Sequence, residues 1–96
     1  MIDYIVAFHY SLAMRQIAYT KSALRTLRKI PDNTANLIRS KIGSYAADPE
    51  SVANNVTALQ GRNAIRLRVG DWRVIMNDEG AVLMILQIGP RGGVYR

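Results

Sequence analysis

The chain has 96 residues, 49% of them apolar, enough for one hydrophobic core and too few for two. It has no cysteine, which excludes disulfides, iron–sulfur clusters, thiolate zinc sites and a cysteine nucleophile together and fits a reducing compartment. Thirteen Lys and Arg against seven Asp and Glu give a net charge of +6, read either as solubility or as attraction to a polyanion, nucleic acid or an acidic protein.

Residues 1–13 are mildly apolar but carry Asp3 and His9 and lack a basic start. They make a poor signal peptide and are too short to span a membrane. From Arg15 to Tyr19 the pattern predicts a strand, and Thr20 is placed to cap a helix starting at Lys21. In Lys21 to Ile30 the residues Ala23, Leu24, Leu27 and Ile30 share one helical stripe while Lys21, Arg25 and Arg28 share another, so this is an amphipathic helix with a basic outer face. Pro31 and Asp32 break it and open a second helix, with the proline at a permitted early position and the aspartate as a possible cap. Ile38, Ile42 and Tyr45 set its apolar stripe, and Pro49 ends it near Ala47.

Ser51 to Gln60 is a polar connection with little periodicity. Beyond it the period changes to that of a half-buried strand: Ile65, Leu67 and Val69 alternate with Ala64, Arg66 and Arg68. Gly70-Asp71 is a two-residue hairpin turn, after which Trp72, Val74 and Met76 continue the buried face. Asp78-Glu79-Gly80 turns again, and Val82 to Ile88 is apolar on both faces, as a central strand should be. The expected fold class is α+β, a two-helix hairpin packed on a small antiparallel sheet of about four strands in the order β-α-α-β-β-β.

Chemistry concentrates in arginines. Every basic residue after Lys41 is arginine, namely Arg62, Arg66, Arg68, Arg73, Arg91 and Arg96, and the planar guanidinium fork suits phosphate. The hairpin turn sets Arg68 opposite Arg73 and Arg66 on the diagonal, all on one face. Like charges across a strand pair are destabilising, so such a face is either kept for an anionic ligand or splayed into solvent. Arg91, Tyr95 and Arg96 follow the central strand and can reach the same end of the sheet, unless they are an ordinary exposed terminus. The lone His9 excludes a His–His cleavage pair and a histidine-rich metal site, and Asp71, Asp78 and Glu79 read as turn formers.

The stretches Ala18-Tyr19-Thr20-Lys21-Ser22-Ala23, Leu27-Arg28-Lys29-Ile30-Pro31, Leu59-Gln60-Gly61, Ile65 through Val74 and Gly89-Pro90-Arg91 with Val94-Tyr95-Arg96 together resemble the RelE toxins of the RelE/ParE toxin–antitoxin superfamily. The resemblance runs from about Met14 to Arg96 in the family's order and spacing. It leaves residues 1–13 as an added element or an upstream start, and 14–96 as the toxin domain.

The resemblance implies a cytoplasmic, ribosome-dependent mRNA endonuclease that needs no metal or cofactor and is neutralised by an acidic, RelB-like antitoxin. By position, Arg73 matches the sheet arginine that holds the scissile phosphate, Arg66 a site often taken by a catalytic lysine, Arg91 the arginine after the last strand and Tyr95 the C-terminal tyrosine. In the implied reaction the substrate's own 2′-hydroxyl attacks the phosphate. Arg66 and Arg73 would neutralise the phosphorane, Arg91 would stabilise or protonate the leaving oxygen, and Tyr95 would act as base. Arg62, Arg68 and Arg96, with Lys21, Arg25 and Arg28 on the helix, are the expected RNA contacts. Ala64 and Pro90 depart from the family pattern, where basic residues are common. Two other readings remain: a ParE-like inhibitor of DNA gyrase, and an RNA-binding module without chemistry.

Overall fold

The computed structural model describes the backbone of residues 4–7 and all of residues 15–92. Nine elements succeed one another among the described residues: β1 (Tyr4–Ala7), β2 (Gln16–Thr20), α1 (Lys21–Lys29), α2 (Asp32–Ala47), a 3₁₀ segment (Pro49–Asn55), β3 (Val56–Ala58), β4 (Ile65–Val69), β5 (Trp72–Asp78) and β6 (Val82–Pro90). The α+β class and the order of helices and later strands agree with expectation. The sheet is larger, however, with six strands among the described residues in the order β1-β2-β6-β5-β4-β3. It is also mixed, because β2 and β6 run parallel, Ile17 beside Leu83 and Tyr19 beside Ile85, while the other pairings are antiparallel.

Strand β6 lies between β2 and β5, which is why both its faces are apolar. One face of the sheet carries Ile17, Leu67, Val74, Met76, Leu83 and Ile85, all essentially inaccessible, and the helices cover it. From α1 come Ala23 and Leu27, with Leu24 and Ile30 partly buried at the margin; from α2 come Ala35, Ile38, Ile42 and Tyr45. The basic stripe of α1, Lys21, Arg25 and Arg28, faces outward as its spacing requires.

Thr20 joins two features at once. Its hydroxyl oxygen accepts from the Ala23 N–H at 3.1 Å, the N-cap bond, and its O–H donates to the Leu86 carbonyl at 2.8 Å. Leu86 is the extra residue of a bulge in β6, since Ile75 pairs with Gln87 and Met76 with Ile85. Asp32, by contrast, does not cap α2: no side chain does, and Asp32 is the first helical residue, where a negative charge favours the helix dipole. The connection after α2 is more ordered than its composition suggests. The Asp48 carboxylate accepts from the Glu50 N–H, Val52 is buried, and Val56–Ala58 adds a strand to β4.

Candidate functional site

The β4–β5 hairpin has the expected register: Val69 pairs with Trp72, Arg68 with Arg73 and Arg66 with Ile75. Gly70 has φ +58°, whereas Asp71 does not enter the left-handed region, so the turn is of the II′ type that fits strand twist. Across a two-residue turn the first pair closes with hydrogen bonds, leaving Arg68 and Arg73 as the non-hydrogen-bonded pair, with Cα atoms about 4.5 Å apart and side chains close. Leu67, Val69 and Val74 point into the core, so the arginines occupy the sheet face away from the helices.

Arg73 folds over the turn, its Nη1 donating to the carbonyls of Gly70 and Trp72, each at 2.9 Å. These bonds hold the guanidinium in place with a neutral partner, so its charge is not cancelled. Among the described residues no ion pair reaches Arg68, Arg73 or Arg91. Arg91 is fixed by its backbone: its N–H donates to the Asp71 carbonyl at 2.7 Å, tying the end of β6 to the hairpin turn. Opposite Arg73 stands Gly89, which has no side chain to fill the face.

These arginines line a cleft of two adjoining lobes. One, of about 230 Å³, is bounded by Asn54, Asn55, Thr57, Arg66, Arg68 and Arg73. The other, of about 510 Å³, is bounded by Asn55, Arg68, Gly70, Asp71, Arg73 and Arg91. Clustered guanidinium groups with few carboxylates form a site for a phosphate or other multiply charged anion.

The structure therefore brings together Arg66, Arg68, Arg73 and Arg91. It does not bring Arg62 to them, which is exposed in the turn before β4 and lines neither lobe. Lys21, Arg25 and Arg28 lie on the helix side, around a separate recess of about 280 Å³ with Leu24. Tyr95 and Arg96 lie outside the described residues.

Sequence reasoning missed the uncharged wall of the cleft, Asn54, Asn55 and Thr57, because a short polar stretch without periodicity gives no sign of where it folds. Asp71 is a turn residue as expected, and it also contributes the one carboxylate on the second lobe.

Asp78 forms more than a turn. Its Oδ1 accepts from Arg15 Nε at 2.8 Å and from the Gly80 N–H at 2.9 Å, and its Oδ2 accepts from the Tyr45 hydroxyl at 2.7 Å. The Arg15 guanidinium stacks over the Tyr45 ring, 5.9 Å from its centre. This half-buried cluster ties the start of β2 and the last turn of α2 to the end of β5. Burial pushes the Asp78 carboxyl upward, but the hydrogen bonds from Gly80, Tyr45 and Arg15 outweigh it and hold the group below its ordinary range. The Tyr45 phenol is pushed up to about 12, first by burial, then by its bond to Asp78 and that group's charge, with Arg15 opposing.

No helix among the described residues is long and apolar enough to cross a membrane. Over residues 17–95 the chain matches the family described as the ParE toxin of type II toxin–antitoxin systems. Comparison with curated proteins finds no match. Among solved structures it is similar to a chain of the archaeal RelE–RelB complex from Pyrococcus horikoshii OT3, with 25% identity, TM-score 0.69, and coverage of 85% of this chain and 99% of that one. It also shares its fold with a chain of the Mycobacterium tuberculosis RelBE2 toxin–antitoxin complex, at 21% identity, TM-score 0.66, and coverage of 83% and 100%. The intact E. coli RelBE complex gives 20% identity, TM-score 0.63, and coverage of 81% and 96%. With the family matched over residues 17–95, this chain belongs to the RelE/ParE toxin family of type II toxin–antitoxin systems.

Proposed function

We propose that the chain is a RelE-type toxin that cuts mRNA on the ribosome, in the cytoplasm, without metal or cofactor. The observation that carries this reading is the arginine cleft, where Arg66, Arg68 and Arg73 line one sheet face and the Asp71–Arg91 backbone bond brings a fourth arginine to it. In the proposed reaction the substrate's 2′-oxygen bonds to phosphorus as its proton passes to Tyr95 acting as base, and the P–O5′ bond breaks, the leaving 5′-oxygen taking up a proton from water. The products are a 2′,3′-cyclic phosphate and a 5′-hydroxyl. Arg66 and Arg73 hold the phosphorane, and Arg91 stabilises the leaving oxygen by charge, since a guanidinium keeps its protons. Arg62 and Arg96, and on the separate helix side the α1 residues Lys21, Arg25 and Arg28, are proposed as further contacts to RNA.

A net charge of +6 supports an acidic, RelB-like antitoxin as the neutralising partner, with association speeded by opposite charge. The test is expression alone and with an acidic partner, followed by a time course on programmed ribosomes. Growth arrest, rescue by the partner and new mRNA ends carrying cyclic phosphate support the reading. The description of the matched family favours one alternative, a gyrase inhibitor, which would instead stop supercoiling and leave mRNA whole.

We further propose that residues 14–96 are the functional domain. Strand β1 pairs with β2 at the sheet edge, and the family match begins only at residue 17. Deleting residues 1–13 is expected to preserve cooperative unfolding and mRNA cutting. The melting temperature should fall by no more than about 8 °C, the shift that ~1 kcal/mol gives in a domain of this size. Loss of a cooperative transition would show that the segment is integral to the fold.

A further inference from the structure

The cleft has a second kind of wall. Asn54, Asn55 and Thr57 face the arginines, and Asn55 lines both lobes. Their backbone is held firmly: Val52 anchors the 3₁₀ segment in the core, the Val56 N–H closes its last turn on the Ala53 carbonyl, and Thr57 pairs with Arg66 across β3 and β4. Among the described residues neither carboxamide, nor the Thr57 hydroxyl, makes a side-chain hydrogen bond within the protein.

Guanidinium groups only donate, so an arginine site recognises a phosphate without distinguishing which nucleotide carries it. A carboxamide sets an acceptor beside two donors, the complement of a nucleobase edge. Two adjoining lobes that share Arg68, Arg73 and Asn55 offer one recess for the phosphate and the next for its base.

We propose that Asn55, supported by Asn54, pairs with the nucleobase next to the phosphate held by Arg68 and Arg73 and thereby sets the base preference of the toxin, with adenine favoured. The proposal rests on the RNA-cutting reading above and deepens it. Single-stranded RNA exposes both the Watson–Crick and the Hoogsteen edges of its bases. Adenine presents an N–H donor beside a ring-nitrogen acceptor on each of them, whereas the Hoogsteen edge of guanine presents two acceptors. A carboxamide can therefore pair with adenine in either orientation of the base.

The experiment compares wild type, Asn55→Ala and Asn54→Ala in two measurements. The first is fluorescence anisotropy with short, non-cleavable 2′-fluoro oligoadenylate and oligouridylate at one fixed salt concentration. The second maps cut ends on programmed ribosomes. Wild type should bind oligoadenylate about tenfold more tightly than oligouridylate, within the discrimination that one bidentate base contact supplies. Its cuts should cluster beside adenine. Asn55→Ala should bring both ratios close to one and Asn54→Ala should lower them in part, with melting temperatures confirming that each variant is folded. Equal ratios in wild type, or an adenine preference that survives Asn55→Ala, overturn the proposal. If the binding preference depends on Asn55 while no mRNA is cut, base reading stands and the nuclease reading falls.

Discussion

Replacing Arg73 by alanine is expected to slow mRNA cutting on programmed ribosomes by about two to three powers of ten, the usual loss when one preorganised stabilising group is removed from a transition state. The guanidinium is preorganised because Nη1 is already bonded to the Gly70 and Trp72 carbonyls before any ligand arrives. The Gly70 carbonyl stands at an exposed turn, where water can replace the lost donor, and the Trp72 carbonyl is only part-buried, so unfolding should shift by no more than about 1 kcal/mol, with relief of the repulsion from Arg68 offsetting part of it. Activity and stability thus separate in one variant. Tyr95→Phe should likewise keep the fold and antitoxin binding while cutting about a hundredfold more slowly, the scale of a lost general base. Wild-type cutting rates in both variants, measured by primer extension, would refute the assigned roles.

Asp78→Ala should do the reverse, costing about 2–3 kcal/mol of stability, since hydrogen bonds to a charged group are lost while Arg15 and the Tyr45 hydroxyl stay half-buried. In a domain of this size that lowers the melting temperature by roughly 10–20 °C. Asp78→Asn keeps one acceptor oxygen, enough for Gly80 and Arg15 on one side or for Tyr45 on the other but not for both, and carries no charge, so it should fall between wild type and Asp78→Ala. The pH profile identifies the cause. Because the folded Asp78 carboxyl is held below its unfolded value, its contribution is complete above that unfolded value and is lost as acid protonates the folded group. The phenol of Tyr45 is raised from 10.0 to about 12, so its contribution is complete below pH 10 and fades as alkali passes through about 12. Wild type should therefore lose stability at both ends of this range, and Asp78→Ala should remove the acid limb due to this carboxyl and make the alkaline limb shallower, burial of the phenol remaining as its larger cause. Chemical denaturation across pH measures this directly, and parallel curves for the two proteins would exclude the cluster as a stabilising device.

Local patterns were legible and long-range pairings were not. The hairpin register follows from a two-residue turn with Gly70 at its first position, and the apolar stripe of α1 from its spacing, so both could be read without knowing the rest of the chain. Arg66, Arg68 and Arg73 came to the candidate site with that register. Strand β3 escaped because three residues, two of them exposed, are too few to establish a period. The parallel pairing of β2 with β6 escaped for a different reason: alternation identifies a strand but does not name its neighbour. Asp78 sits in a sequence suited to a turn and does accept from the Gly80 N–H, yet Arg15 and Tyr45 reach the same carboxylate from 63 and 33 residues away. Nothing in the flanking residues announces partners at that distance.

The order in which the strands are synthesised differs from the order in which they lie. Strand β2 leaves the ribosome early, but its neighbour β6 is the last of the described strands to be made, and the Thr20–Leu86 bond that links them spans 66 residues. Contacts this distant in sequence form late in folding, after the intervening chain has paid its closure entropy. A nascent chain stopped before β6 lacks the middle of its sheet and also Arg91, so it has neither a complete core nor a complete cleft. Prematurely terminated copies should accordingly lack both the folded sheet and the candidate arginine cleft, which strand β6 completes.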